Sequence, residues 1–353
     1  MIRDEYSPYK IVHHRDRLDL LRSSRQPNPL QLQLVPSNVC NQRCTFCAYR
    51  MKDYTSNELF DERVMMSKDK MIETIDCMVD MDIRAIHFTG GGEPTVHPSF
   101  KEVVRYAKNK GIEVALVSNG QLLDDELVEL MSDSAWCRIS VDSGSDKMYS
   151  LLRNVPAKIF HKVCRNIENL AKKATSCVVG VGFVVERENF REILEAAKLF
   201  KSIGVDNFRI SAAMTPMGYE YFRNFKDEAT DLANEAASLS DENFTVFNLL
   251  GDRIKDNFEG VQDYDKCPVK DLLAYVGADY GVYTCCTLAY NRHGFIGSIE
   301  NKSFKEVWES ETKRKMFERH NPSKHCQHPC MYKGRNEFIN YCIKTNPRHT
   351  RFI

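Results

Sequence analysis

The chain has 353 residues, enough for one large barrel domain with an appendage or for two ordinary domains, and enough to bury a sizeable core. Its 49 basic and 49 acidic residues cancel, so no net field draws in nucleic acid or an anionic membrane, and a polyanionic substrate is disfavoured. The N-terminus lacks a signal-peptide apolar core and nowhere do ~18 apolar residues run uninterrupted, so a cytoplasmic protein without a membrane span is expected.

Residues 1–28 are polar and charged and read as an N-terminal arm with a helix around 15–21. From residue 30 onward, strand-like runs at 30–35, 84–88, 113–117, 136–141, 178–185 and 206–211 alternate with helical patterns at 68–80, 98–110, 123–132, 158–172 and 189–203. Alternating βα units imply a parallel sheet, and six strands are too few to close an eight-stranded barrel. The expected fold is therefore α/β: a partial (β/α)6 TIM-like barrel over 29–215, with function on the loops after the strand C-termini. A polar, helical linker region is expected over 216–262, and a composition change at Cys267-Pro268 marks a small C-terminal domain over 263–353.

Thirteen cysteines without a secretion signal point to metal ligation in a reducing compartment rather than to a disulfide framework. Cys77, Cys137, Cys164 and Cys177 are scattered through periodic segments and read as small buried hydrophobes. Directly after the first strand comes Cys40-Asn-Gln-Arg-Cys44-Thr-Phe46-Cys47. Three thiolates in one short loop can hold three irons of a cubane cluster and leave the fourth iron open, whereas an electron-transfer cluster is normally closed by a fourth cysteine. Structural zinc sites instead pair couplets that lie far apart. The triplet, with an aromatic before its third cysteine, resembles the signature of the radical S-adenosylmethionine (SAM) superfamily. That resemblance implies a [4Fe-4S] cluster on Cys40, Cys44 and Cys47 with SAM bound at the open iron, reduced by a flavodoxin- or ferredoxin-type donor.

The second strand ends in Gly90-Gly91-Gly92-Glu93-Pro94, where glycines allow close backbone approach and Glu93 can accept from an ammonium. It is similar to the superfamily motif that holds the SAM amino group. The third strand runs into Ser118-Asn119-Gly120, and the fourth places Ser140 and Asp142 on one side before Ser143. By resemblance Ser140 and Asp142 contact SAM ribose and methionyl groups; Asn119 does the same or, like Ser143, caps a turn. Arg153 either approaches the SAM carboxylate or is a solvated surface residue. Gly180 and Gly182 interrupt a β-branched strand, a costly choice unless something packs close. The resemblance puts adenine against Gly182 and Val184, with a packing bulge as the competing view. Arg209, in an apolar strand, pairs with a substrate carboxylate or an internal acid. Tyr219, Tyr221 and Phe222 near the barrel mouth are either core, the favoured reading, or substrate-facing.

A second cysteine group follows: Cys267, Cys285, Cys286, Cys326, Cys330 and Cys342, with His325 and His328 beside the later pair. The run from Gly277 to Cys285, with Phe304-Lys-Glu-Val-Trp308, resembles the SPASM or twitch extension of radical SAM enzymes. It implies one auxiliary [4Fe-4S] cluster on Cys267, Cys285, Cys326 and Cys330. Glycine spacing selects Cys286 instead of Cys285, and Cys342 is open to a ligand role. Taken together, the resemblance implies an oxidoreductase that cleaves SAM to a 5′-deoxyadenosyl radical and takes hydrogen from substrate. The expected substrate is a polar small molecule, such as a sugar, aminocyclitol or nucleotide-linked sugar, because the first 28 residues are short for a leader-binding domain. Peptide or protein modification is the alternative, and a non-catalytic iron-sulfur or zinc protein the second.

Overall fold

The computed structural model describes residues 6–51, 58–251, 262–326, 330–345 and 348. Six strands form where apolar runs were expected: β1 (Gln31–Leu34), β2 (Ala85–Phe88), β3 (Glu113–Ser118), β4 (Trp136–Ser140), β5 (Val178–Val185) and β6 (Asn207–Ala212). The helices of this half are α1 (Arg15–Arg22), α2 (Lys68–Asp80), α3 (Phe100–Asn109), α4 (Asp125–Met131), α5 (Asp146–Arg153), α6 (Lys158–Lys173), α7 (Ile193–Ile203) and α8 (Lys226–Ala237). Each strand pairs in parallel with its predecessor, so all six C-terminal ends open on one side.

Period decides which side of the sheet is oily. In α6, Phe160, Val163, Ile167 and Leu170 recur at three- and four-residue spacing and are buried against the sheet. Leu32, Ile86, Val114, Ile139, Val181, Phe183 and Phe208 meet that helical layer in one core. Alternation then turns Gln33, His87, Arg138, Asn207 and Arg209 to the inside of the barrel. The inner face is consequently polar where the outer face is apolar. Of the scattered cysteines, Cys137 and Cys177 are buried in the core, while Cys77 and Cys164 pack on its margin.

The sheet is longer than the six strands expected. Its order is β10-β9-β8-β1-β2-β3-β4-β5-β6-β7, with β7 (Thr245–Asn248), β8 (Leu273–Val276), β9 (Gly281–Tyr283) and β10 (Phe295–Ser298). The region 216–262 is thus not wholly helical, because after α8 the short β7 adds to the free edge of β6. At the other edge β8 pairs in parallel with β1 in the register Gln33↔Tyr275, and β9 and β10 continue antiparallel. Backbone hydrogen bonding therefore fastens the C-terminal region to the strand that feeds the cysteine loop. Tyr275, Tyr283 and Tyr290 are buried with Val35 beneath that loop. The N-terminal arm does carry a helix, α1, which packs against the helix Lys333–Lys344. No helix among the described residues is long and apolar enough to cross a membrane.

Gly120 ends the turn after β3 at φ +75°, where a Cβ would lie 2.6 Å from Ile139 Cγ2 and 3.2 Å from Val163 Cγ1. Gly120→Ala is expected to cost about 1–3 kcal/mol, through a conformation disfavoured for alanine and overpacking against β4 and α6. A urea midpoint equal to that of the wild type would contradict this placement.

Candidate active site

The C-terminal ends of β2 and β3 build one pole of the site. Glu93 is only 3% exposed, and its carboxylate receives four neutral donors. Thr95 N (3.1 Å), Thr95 Oγ1 (2.6 Å) and Ser118 Oγ (2.8 Å) donate to Oε1, and Asn119 N (2.7 Å) donates to Oε2. Burial raises the Glu93 pKa, and these donors oppose that rise. Among the described residues no cation pairs with it, so the cradle suits an incoming ammonium group. The adjacent glycines approach the chain itself as well as the cavity. Gly92 N donates to Ser37 O and Glu93 N to Val39 O, and a Cβ on Gly92 would lie 2.3 Å from Val39 O. Those contacts clamp the motif to the residues leading into Cys40.

Arg153, at the end of α5, is the centre of the opposite pole. It is 5% exposed, so the solvated reading is set aside. Its guanidinium forms an ion pair with Asp142, donates to Gln42 Oε1 at 3.3 Å and to Cys44 Sγ at 3.4 Å, and lies 5.6 Å from the Phe46 ring. Burial would lower its pKa, but Asp142, Cys44 and Tyr149 more than offset this, so Arg153 stays charged. Asp142 adopts φ +62° just past β4 and also accepts from Val184 N at 2.7 Å. Gln42 in turn donates to Tyr149 Oη at 2.9 Å, and Asn119 Nδ2 to Asn41 Oδ1 at 2.7 Å. The cysteine loop is thereby tied to β3, β4 and α5 at once.

Between the poles lies a cavity of about 340 Å³. Cys40, Cys44, Phe46, Cys47, Gly91, Gly92, Glu93, Asn119, Ser140, Asp142, Arg153 and Val184 all reach its wall, and no fourth cysteine does. Burial raises the thiol pKa values of Cys40 and Cys47, and Cys44 raises both further. Three thiols on one wall with no fourth suit an open-iron cluster, and Glu93 and the polar strand ends suit SAM. Gly182 is not among the residues lining the cavity, and a Cβ there would make ordinary contact with Arg138 Cδ at 3.5 Å. Ser143 is buried without a partner for Oγ, and the cap of α5 is Ser145. Thr95, Ser118, Gln42 and Tyr149 were not singled out from sequence; the first three sit within two residues of a motif residue, the only signal available. Of the mouth aromatics, Phe222 is core, while Tyr221 Oη donates to Glu186.

The second cysteine group forms beside β9 and the helix Pro322–His325. Cys267, Cys326 and Cys285 have thiol pKa values raised first by burial; Cys330 raises all three further, and Cys267 raises the other two. Cys286 raises Cys285 more than either of these, and its own Sγ lies 3.4 Å from Tyr332 Oη; burial raises the Cys342 thiol and Arg22 opposes that rise. Tyr264 Oη donates to Cys330 Sγ at 3.5 Å. His325 Nδ1 accepts from Asn321 N, and His328 lies outside the described residues. Among the described residues no three His, Cys, Asp or Glu side chains converge as a single ion requires; a cubane spreads its thiolates more widely than zinc does.

The Radical SAM superfamily model matches residues 34–200, and that of the SPASM iron-sulfur cluster-binding domain matches 267–331. The chain belongs to the radical SAM superfamily and carries a SPASM domain. It is 26% identical over 308 residues to the tungsten-containing aldehyde ferredoxin oxidoreductase cofactor-modifying protein of Pyrococcus furiosus, covering 79% of this chain and 81% of that protein. It is 23% identical over 332 residues to the antilisterial bacteriocin subtilosin biosynthesis protein AlbA of Bacillus subtilis, covering 91% and 68%. Streptococcus suis SuiB bound to SAM shares the fold at TM-score 0.63 and 16% identity, covering 88% of this chain and 73% of that one. Members of this superfamily are enzymes that use SAM and iron-sulfur clusters, which makes these this chain's cofactors.

Removing Arg153 leaves Asp142 buried without its countercharge. Arg153→Leu is expected to destabilise the fold by about 3–5 kcal/mol and to lower the iron retained after anaerobic reconstitution. A variant with wild-type denaturation midpoint and iron content would refute the tether.

Proposed function

We propose that this protein is an oxidoreductase that removes hydrogen from a peptide or protein substrate and holds two [4Fe-4S] clusters. One observation carries the reading. Met331, the residue after Cys330, stands in the wall of the same cavity as Cys40, Glu93 and Asp142. An auxiliary cluster on Cys267, Cys285, Cys326 and Cys330 would border the substrate, which suits an oxidation better than a redox-neutral rearrangement.

When bound, the clusters and SAM supply an electron that splits SAM reductively and an acceptor for the electron left on the substrate, with a flavodoxin- or ferredoxin-type protein as the external donor. The chain's own residues do the positioning. Cys40, Cys44 and Cys47 hold three irons, and Glu93 receives the SAM ammonium. Ser118 and Asn119 fix the Glu93 carboxylate, and Ser140, Asp142 and Val184 line the wall available to the rest of the nucleoside. Arg153 holds the cysteine loop at a fixed distance from β4. Apolar lining from Phe46, Met214 and Met331 excludes water from the reacting centre.

Sugar-like small molecules, preferred from the sequence, have less support than a peptide. The similarity to AlbA, a bacteriocin biosynthesis protein, spans nearly the whole chain and favours a peptide substrate. A cofactor-like small molecule is the second reading, favoured by the similarity to the cofactor-modifying protein of Pyrococcus furiosus.

Reconstituted wild type with dithionite and SAM is expected to form 5′-deoxyadenosine, and Cys44→Ala none. A fully iron-loaded wild type that never yields it would end the enzyme reading. Glu93→Gln is expected to weaken SAM binding at least tenfold by calorimetry, roughly the loss of one charge-assisted contact. Cys285→Ala is expected to lower iron by about four per chain while sparing SAM cleavage, and Cys286→Ala to leave iron unchanged. The reverse result would move the ligand by one residue. Loss of two hydrogens from a co-expressed candidate peptide, read by mass spectrometry, separates the peptide reading from the cofactor-like one.

A further inference from the structure

We propose that a second cavity, beside the first and lined by Glu186, binds a positively charged side chain of the substrate, a lysine or an arginine; this rests on the peptide reading above and names a residue that the peptide must carry. The second cavity has a volume of about 420 Å³ and shares Phe46 with the first. Val184 lines the first, and Glu186, two residues further along the chain, lines the second. A peptide with its reacting carbon in one cavity is thus within reach of the other through a neighbouring side chain.

Glu186 is held in place but not neutralised. Its amide donates to Asn189 Oδ1 at 2.7 Å, and Asn189 Nδ2 donates to Asp142 O and Val184 O, both at 2.9 Å, which fixes the turn after β5. Tyr221 Oη donates to Glu186 Oε2. Oε1 has no hydrogen-bond partner among the described residues, although Glu186 is only 6% exposed. No cation among the described residues pairs with it either; the guanidinium of the adjacent Arg187 lies over the Tyr221 ring, 5.1 Å from its centroid. Burial raises the Glu186 pKa to about 7; the hydrogen bond from Tyr221 and the charge of Arg187 oppose the rise, while Glu188 and Asp142 add to it. A buried carboxylate with one oxygen unbonded and no countercharge gains most from a charged donor, whose hydrogen bonds are the strong ones. The rest of the wall selects the form of that cation. Met51, Leu151, Leu152, Pro216 and Met217 are apolar, and Leu151 and Met217 are 59% and 58% exposed. Exposed hydrocarbon beside a buried acid matches a side chain with an aliphatic stem and a charged tip. A bare metal ion fits less well, because no three His, Cys, Asp or Glu side chains among the described residues converge to hold one.

Equilibrium dialysis of SAM-loaded holoenzyme against three radiolabelled, end-capped tripeptides, alanyl-lysyl-alanine, alanyl-arginyl-alanine and alanyl-norleucyl-alanine, tests this, with SAM keeping the probes away from Glu93. Saturable binding of a cationic tripeptide is expected, at least tenfold tighter than that of the norleucine one, as one charge-assisted contact supplies. The tighter of the two cationic probes names the side chain. Glu186→Gln is expected to remove the preference. So is Met217→Lys, a change at an exposed position that brings a competing ammonium to the cavity and keeps the test open if Glu186→Gln does not fold. No saturable binding of either cationic probe to the wild type, equal binding of the norleucine probe, or a preference that survives either variant overturns the proposal. Formation of 5′-deoxyadenosine by the same wild-type preparation separates the outcomes: if it forms and no cationic preference appears, only this inference fails, whereas a preference without it keeps the site and defeats the radical reading.

Discussion

The buried pairing of Arg153 with Asp142 is the constraint on which the rest of the site depends. Two charges taken out of water are tolerable only when each meets the other and the remaining donors find acceptors. Arg153 comes near that condition by reaching Gln42 and Cys44 of the cysteine loop as well as Asp142, with its Nε buried and unbonded among the described residues, and Asp142 by taking the amide of Val184. A loop that must present three thiols to one cavity has little regular structure of its own. Its geometry is imposed from outside, by Arg153 on one side and by the backbone bridges from Gly92 and Glu93 on the other.

Continuity of the sheet is the second constraint. A cluster-binding extension joined only by a linker would leave the distance between the two cysteine groups free to vary. Here β8 takes the open edge of β1, the strand from which the chain runs into Cys40, so one hydrogen-bonded lattice carries both groups. The aromatic packing of Tyr49, Phe60 and Tyr290 closes the gap above it, and Tyr290 Oη donates to Asn38 Oδ1 at 2.6 Å. Met331 reaches the cavity wall as a consequence of this rigid placement.

Glu93 sets the polarity of the cavity. Its carboxylate is held by neutral donors at one end, while Asp142 at the other already has Arg153 as its countercharge. In a confined, poorly hydrated space, a carboxylate held only by neutral donors attracts a cation with little screening.

The sequence by itself determined the six barrel strands, the five helices expected between and after them, and the cysteine triplet and Glu93 that line one cavity, because period and spacing are local properties of the chain. It also selected Cys285 within the second group, but only as one of two alignments. Tertiary structure decided what depends on partners far apart in sequence. Nothing local distinguishes a surface Arg153 from one buried against Asp142, and Thr245–Asn248 is too short to announce itself as a strand. Cys286 has its Sγ against Tyr332 Oη, a residue 46 positions further on, so only the packed chain could bring the two together. Which face of the sheet a residue shows is decided in the same way, because side-chain direction inverts with every residue along a strand and pairing across the sheet has to fix it.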